Sequence, residues 1–169
     1  MQFEVKSGHL TITDPCYTRD TWCMIPKHPA LNGTWYADVE EYEFEKGRIA
    51  KLVAHHERHS KHDADITHIG EIGVDSGQAG IFDEGTYPSD QETTGKLGSL
   101  RDLNRKAISF YDECCLKTCG DEGSGSVKHF GSGAVSSSGY GDGSYDVSGK
   151  IEDGKLVAVQ ITFIEDEEE

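Results

Sequence analysis

The chain has 169 residues, a formal net charge of -15 and 35% hydrophobic residues. Its length suits one domain, because domains commonly contain about 100–150 residues. The negative charge argues against binding to a nucleic-acid backbone, which needs clustered Lys and Arg. We expect neither a membrane span nor a signal peptide, since no apolar run is long enough for either.

The cysteine content points to a reducing compartment. The five cysteines cannot all pair within one chain, and the absence of an export signal favours free thiols in the cytoplasm. The acidic surface suits docking on a basic protein partner. Symmetric homo-oligomers are common, so a homo-oligomer is a further expectation.

The first third of the chain predicts two hairpins separated by an irregular connection. Residues 3–13 alternate apolar and polar side chains around a turn at Ser7-Gly8, which favours a hairpin ending at Asp14-Pro15. Residues 15–32 carry three prolines and Trp22, a composition typical of a long connection held down by its few large side chains. Alternation returns over residues 33–54, with a second turn at Lys46-Gly47.

Later segments predict more strands. Residues 69–83 favour two short strands joined by a tight polar turn, and residues 146–164 favour another hairpin. The Asp-Val pair at 146–147 matches the pair at 38–39. This match predicts a weak internal repeat of a hairpin unit; the alternative is that any two hairpins share these features.

One helix is predicted near residues 99–118, where apolar residues recur at spacings of three and four after a capping Ser99. The Gly- and Ser-rich residues 120–133 favour a flexible connection. The sequence therefore predicts a mainly β fold, a β-sandwich or a barrel-like pair of antiparallel sheets, with one helix. A single domain would span residues 1–164, followed by an acidic tail at 165–169.

Two polar turns carry the candidate ligand contacts. The first follows a predicted strand at 75–78, and the second lies in AVSSSGYGDGSYDV at 134–147. Its glycines let backbone amides approach a ligand, its tyrosines offer stacking faces, and its aspartates suit a cation or a hydroxyl. The alternative is a glycine-rich turn that only links two strands. The predicted contacts are Asp75, Ser76, Gln78, Asp83, Ser137, Ser138, Tyr140, Asp142 and Tyr145.

A histidine-rich stretch is the candidate metal site. His55 and His59 would share a helix face and suit zinc, although the order of a zinc protease motif is missing. The alternative is a solvated polar loop. Zinc is the only cofactor that the sequence suggests. No nucleophile motif identifies a catalytic residue.

Several segments together carry a resemblance to a known group of proteins. They include SGHLTITDPCY at 7–17, VDSGQAGIFD at 74–83 and SSSGYGDGSYDV at 136–147. The chain resembles an uncharacterised family from bacteria and their phages, catalogued as a domain of unknown function. The resemblance implies one β-rich domain and brings no established reaction.

Three functions are compatible with these features. The first is a non-enzymatic protein that binds a small polar or nucleotide-derived ligand between the two polar turns; in a phage it would sequester a defence signal. The second is an acidic inhibitor or immunity-type protein that blocks a basic partner through Asp38, Glu40, Glu41, Glu43, Glu45 and the carboxylates of the C-terminal tail. The third and weaker one is a metal-dependent hydrolase that uses His55, His59 and nearby carboxylates.

Overall fold

The computed structural model describes residues 1–19, 21–59, 66–88 and 109–166. Within these ranges the chain forms eleven strands, one α-helix and a short 3-10 helix at Glu84–Thr86. The elements are β1 (Gln2–Val5), β2 (His9–Thr13), β3 (Ile25–Pro29), β4 (Gly33–Glu41), β5 (Ile49–His56), β6 (Thr67–Val74), β7 (Gln78–Asp83), α1 (Phe110–Thr118), β8 (Ser124–Val127), β9 (Gly133–Ser137), β10 (Gly143–Glu152) and β11 (Lys155–Thr162).

The strands form two antiparallel sheets, in the orders β1-β4-β5-β11-β10-β6 and β3-β2-β7-β9-β8. This confirms the predicted mainly β fold with one helix. One hydrophobic core contains buried side chains of both sheets, including Ile12 and Ile81 from the smaller sheet and Trp35, Leu52 and Ile161 from the larger. No helix in the described ranges is long and apolar enough to cross a membrane.

Hydrogen bonds join the two sheets at both sides of the sandwich. At one side, the amides of Gln2 and Glu4 donate to the hydroxyls of Ser126 and Ser132 at 3.0 and 3.1 Å. At the other, the amide of Gly73 donates to the carbonyl of Cys23 at 2.9 Å. The sandwich is thus partly closed, which shields two sheet edges from outside pairing.

The predicted hairpins have mixed outcomes. β4 pairs with β5 and β10 pairs with β11, so both of these hairpins are confirmed. The predicted hairpin over residues 3–13 is wrong, because β1 pairs with β4 whereas β2 pairs with β3 and β7. The turn at Ser7-Gly8 instead carries the chain from one sheet to the other.

Two segments expected to be irregular contain strands. β3 lies within residues 15–32, and β8 lies within residues 120–133. The helix is also shorter than predicted: Ser109 has an extended backbone, with φ -151°, and its side chain accepts a hydrogen bond from the amide of Asp112. Since Ser109 caps the helix, α1 begins at Phe110, and Ser99, the predicted cap, lies outside the described residues.

The strand pairing divides the fold into two similar units. One unit comprises β1 to β5, and the other comprises β6, β7, β9, β10 and β11, with α1 and β8 inserted. In each unit the first strand pairs with the fourth, the second with the third, and the fourth with the fifth. β2 pairs with β7 and β5 pairs with β11, which joins the units antiparallel. The arrangement has an approximate two-fold axis.

A short sequence repeat follows the same symmetry. VKSGHLTITD at 5–14 and VDSGQAGIFD at 74–83 share the pattern V-x-S-G-x-x-x-I-x-D. Ile12 pairs directly with Ile81, the equivalent position. Gly8 and Gly77 have matching left-handed φ values of 73° and 71°, and their carbonyls accept from the amides of Ala30 and Ser138 at 2.9 and 3.1 Å.

The repeat predicted at 38–39 and 146–147 does not fit this symmetry. Phe3 pairs with Trp35, whereas Ile72, which is equivalent to Phe3, pairs with Tyr145. When the two units are aligned by this register, the two Asp-Val pairs are offset from each other by two residues. The Asp-Val match is therefore a wrong alignment of two hairpins that are related in the fold.

Candidate functional site

The turn between β6 and β7 is fixed by a buried carboxylate. Asp14 is fully buried, and its side chain accepts from the amides of Asp75 and Ser76 at 2.8 and 2.7 Å and from the Ser76 hydroxyl at 2.6 Å. Hydrogen bonds to a charged acceptor are among the stronger ones in proteins. The predicted contact Ser76 thus holds the turn in place, while Asp75 remains exposed.

Asp83 fixes the equivalent turn of the other unit. Its buried carboxylate accepts from the amides of Lys6 and Ser7 at 3.1 and 3.3 Å and from the Ser7 hydroxyl. Asp14 and Asp83 occupy the same position of the sequence repeat, so each unit uses its own aspartate to hold the crossing turn of the other. The predicted ligand contact Asp83 is therefore a buried side chain whose carboxylate is hydrogen-bonded within the fold.

Gln78 connects β7 with α1. It is buried, accepts from the Thr118 hydroxyl at 2.9 Å, and donates to the Cys115 sulfur at 3.4 Å. Ser137 pairs with Gln78 across β7 and β9. Both predicted contacts therefore lie at the junction between the helix and the smaller sheet.

The two polar turns are direct neighbours. Ser138 donates its amide to the carbonyl of Gly77 at 3.1 Å and its hydroxyl to the carbonyl of Gly141 at 2.8 Å. Tyr145 also donates to the Gly141 carbonyl, at 2.6 Å, and its ring contacts Phe163 edge to face. Ser138 and Tyr145, both predicted as ligand contacts, thus stabilise the glycine-rich turn before β10.

Tyr140 belongs to a different part of the surface. The residue is 65% exposed, and the centroid of its ring lies 4.6 Å from the guanidinium carbon of Arg48. Its hydroxyl donates to Glu45 at 2.9 Å. Tyr140 therefore contacts the turn between β4 and β5.

Asp75 and Asp142, one from each polar turn, line a single open cavity of about 420 Å³. Tyr17 and Trp22 line it as well. We call this cavity the Trp22 cleft. Tyr17 donates its hydroxyl to the carboxylate of Asp75. The other lining residues are Cys23, Gly73, Val74, Gly143 and Ser144.

Trp22 contradicts the prediction that the large side chains of residues 15–32 hold this connection down. It is 93% exposed, whereas Trp35 is fully buried. A tryptophan of this exposure offers a large flat apolar surface to a ligand. Trp22 lies in a Pro-rich stretch and outside any alternating apolar pattern, and this position is the sequence feature that indicates an exposed side chain.

Burial keeps Tyr17 and three of the thiols, those of Cys16, Cys114 and Cys115, protonated at neutral pH. Burial, followed by the hydrogen bond to Asp75, raises the pKa of Tyr17. Burial also raises the pKa of Cys16, with Asp14 as the next cause, and the pKa values of Cys114 and Cys115. All five cysteines are free. A protonated thiol is a poor nucleophile and a poor metal ligand.

The predicted helix face at His55 and His59 is wrong. His55 lies on β5, and His59 follows in a turn. His55 contacts the ring of Tyr36, while His59 contacts the ring of His56 and lies 3.7 Å from Glu152. The described ranges contain no group of three or more His, Cys, Asp or Glu side chains that could hold a metal ion; Ser60 to Asp65 lie outside them.

The acidic residues proposed for a basic partner lie on the hairpin formed by β4 and β5. Asp38, Glu41 and Glu43 are exposed. Glu45 is bound by Arg48 at 2.8 Å. Phe44, which lies between Glu43 and Glu45, is 65% exposed.

Comparisons with protein-family models, curated proteins and solved structures find no significant match to this chain. The resemblance to a family from bacteria and their phages therefore stays a prediction.

Proposed function

We propose that the protein is a non-enzymatic binding protein that holds a small, polar, positively charged ligand in the Trp22 cleft. The observation that carries this proposal is the meeting of Asp75 and Asp142 at one cavity beside an exposed tryptophan. The two carboxylates come from two turns that are distant in sequence.

The charge of the cleft selects the class of ligand. Asp75 and Asp142 are both exposed, and the whole chain has a formal net charge of -15. A cation is attracted by this field, and the face of a tryptophan adds a cation–π interaction of about 0.5–2 kcal/mol. An ammonium or guanidinium group, or a protonated ring nitrogen, fits both features.

The negative charge of the cleft also restricts the orientation in which a nucleotide-derived ligand can bind. Phosphate groups would be repelled by the two carboxylates. A nucleotide-derived ligand therefore binds through its base, which stacks on Trp22, and any phosphate is directed away from Asp75 and Asp142. A nucleoside is expected to bind more tightly than its monophosphate.

The walls of the cleft are held in place before a ligand arrives. Asp14 fixes the turn of Asp75, and the bonds of Ser138 and Tyr145 fix the turn of Asp142. A preorganised site spends less of its binding free energy on ordering its own side chains. This rigidity supports a binding role for the two turns.

A fluorescence titration tests the proposal. Choline is the cationic probe, and 3,3-dimethylbutan-1-ol is its neutral isostere. We expect choline to change the emission of Trp22 in a saturable way and the alcohol to have little effect. Asp75→Asn combined with Asp142→Asn should weaken choline binding by about tenfold or more, whereas the exposed Asp146→Asn is the control. Equal responses to choline and the alcohol would contradict the proposal.

A second candidate rests on Phe44 and its acidic neighbours. An exposed aromatic side chain surrounded by carboxylates suits docking on a basic protein surface. This acidic inhibitor model predicts association that weakens as salt rises and that Phe44→Ala abolishes. Association that is unchanged between low and high salt would count against it.

A further inference from the structure

A second cavity lies at the position that the two-fold symmetry makes equivalent to the Trp22 cleft. It has the same volume, about 420 Å³. The alignment of residues 5–14 with 74–83 equates Lys6 with Asp75 and, when extended, Glu4 with Gly73 and Thr86 with Tyr17. Glu4, Lys6 and Thr86 line the second cavity, as Gly73, Asp75 and Tyr17 line the first.

The charged groups differ between the two cavities: two carboxylates line the Trp22 cleft, whereas two lysines line the second cavity together with Glu4 and Asp83. Lys6 stands at the position equivalent to Asp75, and the loop between β8 and β9 adds Lys128 to this cavity, whereas the loop between β9 and β10 adds Asp142 to the Trp22 cleft. Both lysines are exposed. Neither forms an ion pair with another residue of the described ranges.

The carboxylates of the second cavity are engaged by other groups. Asp83 accepts from the amides of Lys6 and Ser7, and Glu4 accepts from the Thr34 hydroxyl at 2.6 Å. Neither carboxylate is ion-paired with Lys6 or Lys128, so both ammonium groups are accessible to a ligand. Lysine binds phosphate and carboxylate groups as a compact positive charge.

The loop that carries Lys128 is held rigidly. The buried carboxylate of Glu113, on α1, accepts from the amides of Lys128 and Phe130, both at 2.7 Å, and from that of His129 at 3.0 Å. This network fixes the backbone of Lys128 beside the cavity. It also uses an element, α1, that the first unit lacks.

We infer that this second cavity, which we call the Lys6 cleft, binds a small oxyanion such as a phosphate group between Lys6 and Lys128. It is a site separate from the Trp22 cleft and does not depend on the ligand proposed there. Duplication of one unit thus provides two clefts of opposite charge preference. The residue at the position shared by Lys6 and Asp75 sets that preference.

The test is a titration of the full-length, isotopically labelled protein with inorganic phosphate, followed by amide NMR at constant ionic strength. The expected result is saturable shifts at Lys6, Lys128 and Gly131. Lys6→Gln with Lys128→Gln should weaken the affinity by about tenfold or more. The matched control, Lys46→Gln with Lys155→Gln, removes two exposed lysines elsewhere and should leave the affinity unchanged.

Three outcomes would overturn the inference: shifts that do not saturate, shifts spread evenly over all lysines, or an equal loss in the control variant. Urea unfolding of each variant shows whether it is folded. If Lys6→Gln with Lys128→Gln does not fold, Lys6→Asp alone serves as the second variant, because the backbone amide that binds Asp83 is kept. Asp75→Asn with Asp142→Asn should bind phosphate as the wild type does, which separates this test from that of the Trp22 cleft.

Discussion

Asp14 and Asp83 each stabilise a turn of the opposite unit. Asp14 accepts hydrogen bonds from the turn that contains Ser76, and Asp83 accepts them from the turn that contains Ser7. The two aspartates lie at equivalent positions of the sequence repeat. Each contact links one unit to the other, next to the central pairing of β2 with β7. The pair therefore stabilises both the crossing turns and the junction of the units.

Asp14→Asn should lower the free energy of unfolding by about 3 kcal/mol, because the amide replaces an acceptor oxygen with a donor and removes a charge from a site that donors surround. Asp83→Asn should cause a loss of similar size. Urea unfolding measures both. Asp142→Asn, at an exposed position, is the control, and its effect should stay within about 0.5 kcal/mol. A negligible loss at Asp14 would contradict its structural role.

Gly77→Ala and Gly8→Ala should each lower the free energy of unfolding by about 1–2 kcal/mol, since both residues have a left-handed backbone. A methyl group at Gly77 meets nothing within 4 Å, so the backbone alone accounts for the loss there. Gly120→Ala should be close to neutral, because its backbone is not left-handed and the added methyl group would make only ordinary contacts, at 3.7 Å or more. Thermal unfolding of the three variants gives the comparison, and a neutral Gly77→Ala would disprove the argument.

Trp22→Ala should change the free energy of unfolding by less than about 0.5 kcal/mol, because Trp22 is 93% exposed. Trp35→Ala, in the core, should cost about 3–5 kcal/mol. Acrylamide, a neutral quencher, should quench the emission of Trp22 strongly and that of the buried Trp35 much less. If Trp22→Ala destabilised the protein strongly, Trp22 would be a structural anchor and the cleft would lose its proposed stacking surface.

Alkaline pH should destabilise the protein. Folding raises the pKa values of Cys16, Tyr17 and Tyr111, in each case chiefly through burial. The unfolded chain therefore loses these protons first, near the ordinary values of 9.0 for a thiol and 10.0 for a phenol. The free energy of unfolding should be unaffected by these groups below about pH 8 and should fall progressively as the pH rises above about 9.

Urea unfolding at several pH values measures this effect. Tyr17→Phe removes one of the contributing groups, so its stability should fall less steeply with pH than that of the wild type. A stability that stays level or rises over the same range would show that the folded state does not favour the protonated forms.

Alternation and turn residues were sufficient to predict the hairpins of β4 with β5 and of β10 with β11. The same signals failed at residues 3–13, because a Ser-Gly turn looks the same whether it returns a strand to its own sheet or carries it to the other. β3 and β8 were missed because their prolines and glycines are not typical of strands. Both are short strands at the edge of a sheet, where such residues are tolerated. The helix start was misplaced because Ser99 and Ser109 both suit a cap.

The candidate site was predicted in part. The two polar turns are neighbours, as expected, yet only Asp75 and Asp142 of the predicted contacts line the Trp22 cleft. Ser76, Gln78, Asp83 and Ser138 have polar side chains that bind other parts of the chain. Whether such a side chain serves a ligand or the fold depends on which donors surround it, and this is not visible in a sequence pattern. The repeat V-x-S-G-x-x-x-I-x-D was visible and predicts the equivalent turns.

Native mass spectrometry of untagged protein, purified from its natural host at low salt, tests the binding proposal most directly. We expect the wild type to retain a small cationic molecule and Asp75→Asn with Asp142→Asn to lose it. A folded wild-type protein without bound mass, or a mass retained equally by the variant, would contradict a cationic ligand in the Trp22 cleft.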